Sequence, residues 1–591
     1  MSSFPYLTVL VLLPAGAAVV LVVVTSLGLG ASADLERRVV QVVGWAGVLA
    51  TLGVAIAMLG KFASGNGGFQ LVTSHAWIPS LGIHWTLGVD GISLFLVLMT
   101  ALLFPIALAG AGPRRNDKSF VAWLLILEAG CLGSFLSLDL LVFFLFFELT
   151  LVPVYFIMSG FGHERRGYAA TKFFLYTLGA SAFLLVGILA LVALHADQTG
   201  VTTFDVRALA TTHLSGTAGT LLFLAFTAAF AVKAPIFPLH TWSPDAYRES
   251  PAAGAVILAG VMAKLGTYGI VRFDLELFPK AVVTLAPLLL TLGVVGIIYG
   301  GIVAAVQHDL KRLIAYSSLA HIGFIVVGAF ALTGPALSGA VLQMVNHGVY
   351  TAALFLLVAM IYRRSGSFST KDLTGLQSKA PVLAGMFTVV MLASIGVPGL
   401  NGFVGEFLIL SGTFLSHRWW AVVATVGVII AAVYLLWAYQ QVFHGVPTAK
   451  EATFKEISWR ESAYMAPLIA AIVVLGVFPG PLLSRITPSV NLLVEHVEHV
   501  GHAHVPPIGQ PLTGVALRPD APTTGGASAA GESRAAEFAG AGASRVAGLV
   551  AAAGSAAAGA SAAAGASAAA GASAATGAFS TGGSSTVAGA R

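Results

Sequence analysis

The sequence predicts an all-α, polytopic membrane protein of about fourteen transmembrane helices. Of its 591 residues, 57% are hydrophobic and only 9% are charged, whereas a soluble domain carries about 25% charged residues. A helical span needs about 20 mostly apolar residues, and the apolar runs of this chain reach that length without interruption. Such runs are too long for the alternating strands of about ten residues that form outer-membrane barrels.

Hydropathy along the chain predicts fourteen spans. They cover residues 6–30, 39–59, 91–111, 119–138, 140–161, 168–194, 217–239, 251–272, 281–305, 312–333, 337–361, 380–414, 420–444 and 462–484. The first run is interpreted as a retained helix and not as a signal peptide. No basic residue precedes Arg37, and the run is longer than the roughly 7–15 apolar residues of a signal core.

The basic residues predict the orientation. Loops that follow odd-numbered helices hold 17 Lys and Arg, and the opposite side holds 6. Because basic residues accumulate in cytoplasmic loops, the odd loops are expected in the cytoplasm and both termini outside. The formal charge of +5 is thus explained by topology, and we expect no nucleic-acid partner.

Four charged residues interrupt the apolar runs: Glu148 in helix 5, Lys233 in helix 7, Lys264 in helix 8 and Glu406 in helix 12. A charge at the centre of a bilayer costs about 2.5–3.5 kcal/mol on insertion scales, and such residues mark proton and ion pathways. We therefore expect paired groups lining a polar path. The structural alternatives are a protonated, hydrogen-bonded Glu148 and a Lys264 that snorkels to the interface.

Two helices are predicted to be broken. Pro235 and Pro238 follow Lys233 closely, and each removes a backbone donor. The run 380–414 is too long for one span and contains Gly396, Pro398, Gly399 and Gly402. Interrupted helices 7 and 12, one in each half of the chain, suggest two inverted repeats of five helices, as in transporters.

Several histidines extend the candidate row. His321 in helix 10 and His347 in helix 11 are central, and a neutral imidazole can accept a proton on one nitrogen and donate from the other. The alternative for each is a hydrogen-bonded core histidine. His240 is a candidate for an inner proton entrance. Glu128 is central in helix 4, but the sequence suggests no partner for it.

The sequence offers no cofactor motif. Cys131 is the only cysteine, whereas Fe–S clusters need several thiolates, and neither GxGxxG after a strand nor GxxxxGK[ST] is present. His496, His499, His502 and His504 are interpreted as a solvated polar stretch, with a metal site as the alternative. From about residue 520, Ala/Gly/Ser repeats predict a disordered tail.

Five sequence motifs resemble those of a known protein family. They are LGVDGISLFLVLMTALLFP, SLDLLVFFLFFELTLVPVYF, KAPIFPLHTWSPDAYRESPAAGAVILAGVMAKLGTYGIVRF, HDLKRLIAYSSLAHIGF and GVPGLNGFVGEF. Over roughly residues 80–445, the chain resembles the proton-pumping, antiporter-like subunits of respiratory complex I. Related subunits tend to have lysine at the position that matches Glu406. The glutamate therefore favours a resemblance to the M-type subunits. The sequence also predicts no long amphipathic lateral helix after helix 14. Because the L-type subunit would have such a helix, this expectation sets the chain apart from the L-type.

The resemblance implies roles for the buried residues. Glu148 would pair with Lys233 and control its proton affinity, Lys264 would be the central relay, and His321 and His347 would carry protons onward. Glu406 would release them to the outside. Tyr247 stands where the family usually has histidine, which removes an entrance role for that position.

The resemblance also implies partners and location. NADH, FMN, Fe–S clusters and quinone would lie in partner subunits, the chain itself would bind no cofactor, and L- and N-type subunits and the lipid bilayer would be its neighbours. The location would be a prokaryotic inner membrane. The alternatives are a subunit of a multi-subunit cation/proton antiporter or membrane-bound hydrogenase, and a stand-alone transporter of an organic solute.

The expected organisation has five parts, which are helices 1–3 (1–115), a first antiporter-like repeat (116–275, helices 4–8), a second repeat (276–445, helices 9–13), helix 14 with its flanks (446–515) and the tail (516–591).

Overall fold

The computed structural model describes residues 4–27, 32–447 and 453–502. The predicted tail and His504 lie outside the described residues, and so does part of the predicted segment 446–515. The described helices are α1 (Tyr6–Ser26), α2 (Ala33–Leu59), α3 (Leu94–Gly110), α4 (Lys118–Leu136), α5 (Leu140–Leu149), α6 (Leu151–Phe161), α7 (Arg166–Thr199), α8 (Val206–Leu209), α9 (Gly216–Lys233), α10 (Ser243–Glu249), α11 (Ala252–Ile257), α12 (Ala263–Gly269), α13 (Leu275–Leu277), α14 (Pro279–Ala305), α15 (Leu310–Phe330), α16 (Gly334–Ser365), α17 (Leu376–Lys379), α18 (Pro381–Ile395), α19 (Asn401–Ser416), α20 (Arg418–Phe443), α21 (Trp459–Val477) and α22 (Gly480–Gly501).

The helical membrane fold is confirmed. Twelve described helices or continuous helical runs are long and apolar enough to cross a membrane. The shorter apolar helix α3 and the pair formed by α18 and α19 bring the arrangement to the fourteen predicted crossings. Several spans begin at a capping side chain: Asp117, Asp139 and Asp309 accept hydrogen bonds from first-turn N–H groups of α4, α5 and α15.

Both predicted breaks are present. Helix α9 ends at Lys233, and α10 begins only at Ser243. Helix α18 ends at Ile395, and the chain then turns through Gly396 (φ 84°) and Gly399 (φ 90°) before α19 starts. Positive φ values of this kind favour glycine, which explains the composition of the second break. The inverted relation between the two halves stays a prediction.

The core of the described unit surrounds two spans. One is the run Ala252–Leu277, in which the π-helical segments Leu258–Met262 and Ile270–Asp274 join α11, α12 and α13. The other is α16. Both spans are buried throughout their most apolar stretch. In contrast, α21 is mostly exposed. Lys264 and His347, which lie on these two spans, are therefore in the most enclosed part of the fold.

A β-hairpin, which the sequence did not predict, precedes α3. Strands β1 (Gln70–Ile78) and β2 (Ile83–Val89) pair antiparallel, and the chain reverses at Pro79–Leu81 and Gly82, whose φ is 70°. Strands of nine and seven residues are too short to produce the twenty-residue apolar runs that mark spanning helices. The all-α class needs this one addition.

The end of the last predicted span also differs from the prediction. Instead of one span at 462–484, α21 ends at Val477, and after Pro479 a second helix, α22, continues for 22 residues. Its buried face contains Ile486, Val490 and Val497, while the opposite face is polar. The expectation that no long amphipathic helix follows the last span is therefore wrong. His496 and His499 lie on this helix, and His496 Nε2 lies 2.9 Å from the Glu276 carbonyl.

A buried ion pair fixes the C-terminal end of the run Ala252–Leu277, which corresponds to predicted helix 8. The Arg272 guanidinium donates to Asp90 Oδ2 at 2.5 Å and to Glu276 Oε2 at 3.4 Å, and the Arg272 and Asp90 side chains are each 4% exposed. Asp90 Oδ1 accepts hydrogen bonds from the backbone N–H groups of Ile92 and Ser93. One carboxylate thus joins the start of α3 to the helix that carries Lys264.

Replacing Asp90 should destabilise the protein. Asp90→Ala leaves a buried guanidinium without its main partner, and breaking such a pair costs about 3–5 kcal/mol. The matched control is Asp34→Ala, because the Asp34–Arg37 pair is exposed and such pairs contribute about 0–1 kcal/mol. Thermal unfolding in detergent measures both variants. Equal midpoints for the two would contradict this role of Asp90.

Candidate functional site

Lys264 and His347 are in direct contact. The Lys264 ammonium lies 2.6 Å from His347 Nδ1 and donates to the Ala259 carbonyl at 2.5 Å. Both side chains are fully buried, so Lys264 does not snorkel. A π-helical segment ends just before α12, and such segments are frequent at functional sites. The contact joins α12, in predicted helix 8, to α16, which corresponds to predicted helix 11.

Glu406 and His321 form the second contact. His321 Nδ1 lies 2.9 Å from Glu406 Oε1, which also accepts a hydrogen bond from Gln343 Nε2 at 3.1 Å. Ser394 Oγ lies 3.3 Å from His321 Nε2, so both imidazole nitrogens have polar neighbours. Helices α15, α16, α18 and α19 supply these four groups. Gln343 and Ser394 are members of the site that the sequence did not single out.

The two histidines lie side by side without a hydrogen bond between them. Their ring centroids are 5.7 Å apart, and the Tyr350 ring packs edge-on against both, at 5.5 Å from His321 and 5.4 Å from His347. His347 Nε2 is buried and has no hydrogen-bond partner among the described residues. A proton can cross this gap only after a water enters or a ring moves. Lys264, His347, His321 and Glu406 therefore form one interrupted row.

The second break is tied to α16 beside this row. Asn346 Nδ2 donates to the Asn401 carbonyl at 2.7 Å, and Asn401 Nδ2 donates to the Asn346 carbonyl at 3.3 Å. Both asparagines are fully buried. The reciprocal pair holds the start of α19, and with it Glu406, at a fixed height relative to His347.

Lys233 lies at the C-terminal end of α9 and contacts the kink between α5 and α6. Its ammonium donates to Thr150 Oγ1 at 3.0 Å and to the Phe147 carbonyl at 3.2 Å, and it lies 4.3 Å from the centroid of the Phe147 ring. Thr150 was not predicted as part of the site. Pro153, which has no backbone N–H, was the signal in the sequence for a kink at this point.

Glu148 and Lys233, which the resemblance predicts to pair, are not in direct contact in the structure. Within the described part of the chain, these two side chains form no ion pair of 4.0 Å or less, because Lys233 is turned toward Phe147 and Thr150. They are still close enough to interact electrostatically. Glu148 Oε1 is buried without a hydrogen-bond partner among the described residues. The structure thus holds this pair in a separated arrangement.

Charged groups cluster on the side where the basic loops lie. Asp245 pairs with Lys172 at 2.8 Å and with Arg312 at 3.6 Å, while Arg248 pairs with Glu249 and Asp309 at 3.0 and 3.2 Å. Lys311, at the start of α15 beside a loop, is buried and donates to the carbonyls of Arg248 and Ser250. His240 is buried with Nδ1 unpartnered among the described residues, and its ring packs on Phe237 and Tyr299.

An open polar cavity of about 580 Å³ lies beside this cluster and is lined by His163, Glu164, Arg248, Asp309 and Phe368, among others. Burial and the nearby cations Lys311, Arg248 and Arg114 lower the pKa of His163 to about 3. His163 therefore stays neutral at physiological pH. The described residues contain no group of three or more His, Cys, Asp or Glu that could hold a metal ion.

The comparisons with known proteins identify the family. Residues 137–431 match a family model described as NADH:quinone oxidoreductase/Mrp antiporter, TM. NADH-quinone oxidoreductase subunit M of Rhodobacter capsulatus is 41% identical over 519 residues, which cover 86% of this chain and 99% of the relative. The chain belongs to the subunit M family of NADH-quinone oxidoreductases.

Solved structures agree with this assignment to the subunit M family. A chain of respiratory complex I from Thermus thermophilus is 31% identical, with a TM-score of 0.74 over 83% of this chain and 99% of that one. A chain of the Mrp complex from Dietzia is 22% identical with a TM-score of 0.70, over 83% of this chain and 99% of that one. The second likeness shows a common fold. The M-type prediction made from Glu406 and the helix motifs is confirmed.

A methyl group at Gly396 should disturb Glu406. Gly396 has a φ of 84°, and an added Cβ would lie 2.8 Å from Glu406 Oε2. Gly396→Ala should destabilise the protein by at least about 1–2 kcal/mol, the cost of a left-handed conformation for a residue other than glycine. Thermal unfolding measures the effect.

The control for Gly396→Ala is Gly385→Ala inside the preceding helix α18, where nothing lies within 4 Å of the added Cβ. That variant should be neutral or slightly stabilising, because alanine has the higher helix propensity. If both variants unfold at the same temperature, the close packing of Gly396 on Glu406 has no energetic role.

Proposed function

We propose that this chain translocates protons across the membrane as the M-type subunit of an NADH-quinone oxidoreductase, and that the redox chemistry takes place in partner subunits. The observation that supports it best is the interrupted row of Lys264, His347, His321 and Glu406. Lys264 Nζ lies 2.6 Å from His347 Nδ1, the two imidazole centroids are 5.7 Å apart, and His321 Nδ1 lies 2.9 Å from Glu406 Oε1. Titratable groups in the interior of a membrane protein are typical of proton relays.

The row is suited to protons because each member can change its protonation state or accept a proton at a defined atom. The Lys264 ammonium faces His347 Nδ1, and His321 Nδ1 faces Glu406 Oε1. An imidazole that takes a proton on one nitrogen can release it from the other. Protons from Lys264 would pass through both imidazoles, and Glu406 would release them to the outside.

Lys233 and Glu148 supply the control of this path. In the separated arrangement, the Lys233 ammonium is held by a hydroxyl, a carbonyl and a ring face. Approach of Glu148 would favour the ammonium form, and its withdrawal would favour loss of the proton toward Lys264. A movement of the kink between α5 and α6, caused by a neighbouring L- or N-type subunit, would change this distance. NADH, FMN, Fe–S clusters and quinone would belong to partner chains.

Removal of the titratable groups should abolish pumping without preventing assembly. Lys264→Met keeps the aliphatic volume, and Glu406→Gln keeps the size and hydrogen-bonding capacity. NADH-driven proton uptake by inverted membrane vesicles should fall at least roughly tenfold, a conservative value beside the ~100-fold that a positioned proton-transfer group commonly contributes. Lys233→Ala and Glu148→Ala should act in the same direction.

The matched controls are Lys280→Met and Glu495→Gln, which remove an exposed ammonium and an exposed carboxylate. These should pump normally. Assembly is checked in every variant by NADH oxidation with a water-soluble acceptor and by copurification of Fe–S and flavin subunits. Normal pumping in Lys264→Met and Glu406→Gln, with assembly intact, would overturn the proposal. Copurification with no redox subunit would favour a cation/proton antiporter, whose fold this chain also has.

The proposed location is a prokaryotic inner membrane, with odd-numbered loops inside. Cys131 is the only cysteine and is fully buried, so the background for thiol labelling in intact cells is low. Ser484→Cys, exposed at the start of α22, should react with a membrane-impermeant maleimide added outside. Ser378→Cys, exposed in α17, should react only after lysis. The reverse pattern would invert the topology.

A further inference from the structure

Glu128 is a buried carboxyl that the proton path described above does not use. It lies in α4 with an exposed fraction of 0%, and neither carboxyl oxygen has a hydrogen-bond partner among the described residues. A buried polar group without a partner costs free energy, and an unpaired carboxylate costs far more than the neutral acid. The neutral acid is therefore the resting form, and packing alone does not explain why the chain has a glutamate here.

The position of Glu128 on α4 directs it toward helix 8. Glu128, Cys131 and Phe135 occupy positions i, i+3 and i+7, which share one helix face. The Phe135 ring lies 5.2 Å from the Tyr268 ring, and Tyr268 Oη donates to the Phe135 carbonyl at 3.1 Å. Tyr268 is one turn after Lys264 on α12, so this face of α4 packs along the helix that carries Lys264.

The same part of α4 also contacts the surroundings of Lys233. An added Cβ at Gly130 would lie 3.0 Å from Thr150 Cγ2, and Thr150 Oγ1 accepts the hydrogen bond from Lys233. The Cys131 thiol is close enough to interact electrostatically with both Lys233 and Glu128. Helix α4, which carries Glu128, thus packs on the helix of Lys264 through Phe135 and contacts the surroundings of Lys233 through Gly130 and Cys131.

The described residues show no hydrogen-bonded connection for the step from Lys233 to Lys264, just as they show none between the two imidazoles. We infer that Glu128 is a further proton-carrying residue, which connects Lys233 with Lys264. The inference rests on the proposed proton path. The neutral acid gives its proton to the neutral Lys264 amine, so that an O–H bond breaks and an N–H bond forms. The carboxylate then takes a proton from the Lys233 ammonium, so that an N–H bond breaks and the O–H bond is restored.

The test uses the assembled complex in inverted vesicles with three variants of Glu128 and its helix. Glu128→Leu removes both unpartnered oxygens at similar volume, and Glu128→Gln keeps size and polarity but carries no exchangeable acid proton. The matched control is Ser134→Ala on the same helix, where the fully buried hydroxyl bonds only to the Gly130 carbonyl. NADH-driven proton uptake, NADH oxidation with a water-soluble acceptor and the thermal midpoint are measured for each.

A proton carrier and a space-filling residue give opposite results in these variants. For a carrier, Glu128→Leu should be as stable as the parent or more stable, while uptake falls at least roughly tenfold in both Glu128 variants and stays normal in Ser134→Ala. Normal uptake in an assembled Glu128→Leu or Glu128→Gln complex would overturn the inference. If Glu128→Leu does not assemble, Glu128→Gln alone decides the outcome.

Lys233→Ala, measured in the same series, separates this inference from the proposed function. Loss of uptake in Lys233→Ala with normal uptake in both Glu128 variants removes only the role of Glu128. Normal uptake in Lys233→Ala as well would remove the proton path itself.

Discussion

The cost of placing charge in a low-dielectric interior governs the design of this molecule. Each central titratable group of the row has polar contacts supplied by another helix, and Lys264 and His347 lie in the two most enclosed spans, the run Ala252–Leu277 and α16. The surrounding helices are apolar, so that the neighbours of each buried group strongly influence whether it is charged. The apolar shell is therefore a condition for control of the protons and not only an adaptation to lipid.

The sequence identified which titratable residues lie inside the apolar spans but not which side chains they contact. Proline and glycine positions predicted both breaks, because those residues act on their own backbone. Hydropathy gives the depth of a residue but not the rotation of its helix. The contact of Lys264 with His347, the contact of Lys233 with Thr150 and the separation of Glu148 from Lys233 therefore became visible only in the fold. Lys311 shows the same effect, since its place in a loop-proximal turn did not reveal its burial.

The hairpin and α22 were missed for a related physical reason. Neither contains a long uninterrupted apolar run, because polar residues alternate with apolar ones along both segments. The π-helical segments on both sides of α12 were also invisible, because a helix that changes its winding keeps the same apolar composition. The likeness to a chain of the Mrp complex shows a common fold, and a fold by itself does not define a function.

The space between the two imidazoles has a consequence for energy conservation. A membrane that stores a proton gradient would be short-circuited by any permanently connected conductor through its hydrocarbon layer. The ring centroids of His321 and His347 lie 5.7 Å apart beside Tyr350, and no hydrogen bond joins the two imidazoles. The proposed row is interrupted between these two imidazoles, so in this arrangement it offers no continuous hydrogen-bonded path along which a stored proton gradient could leak.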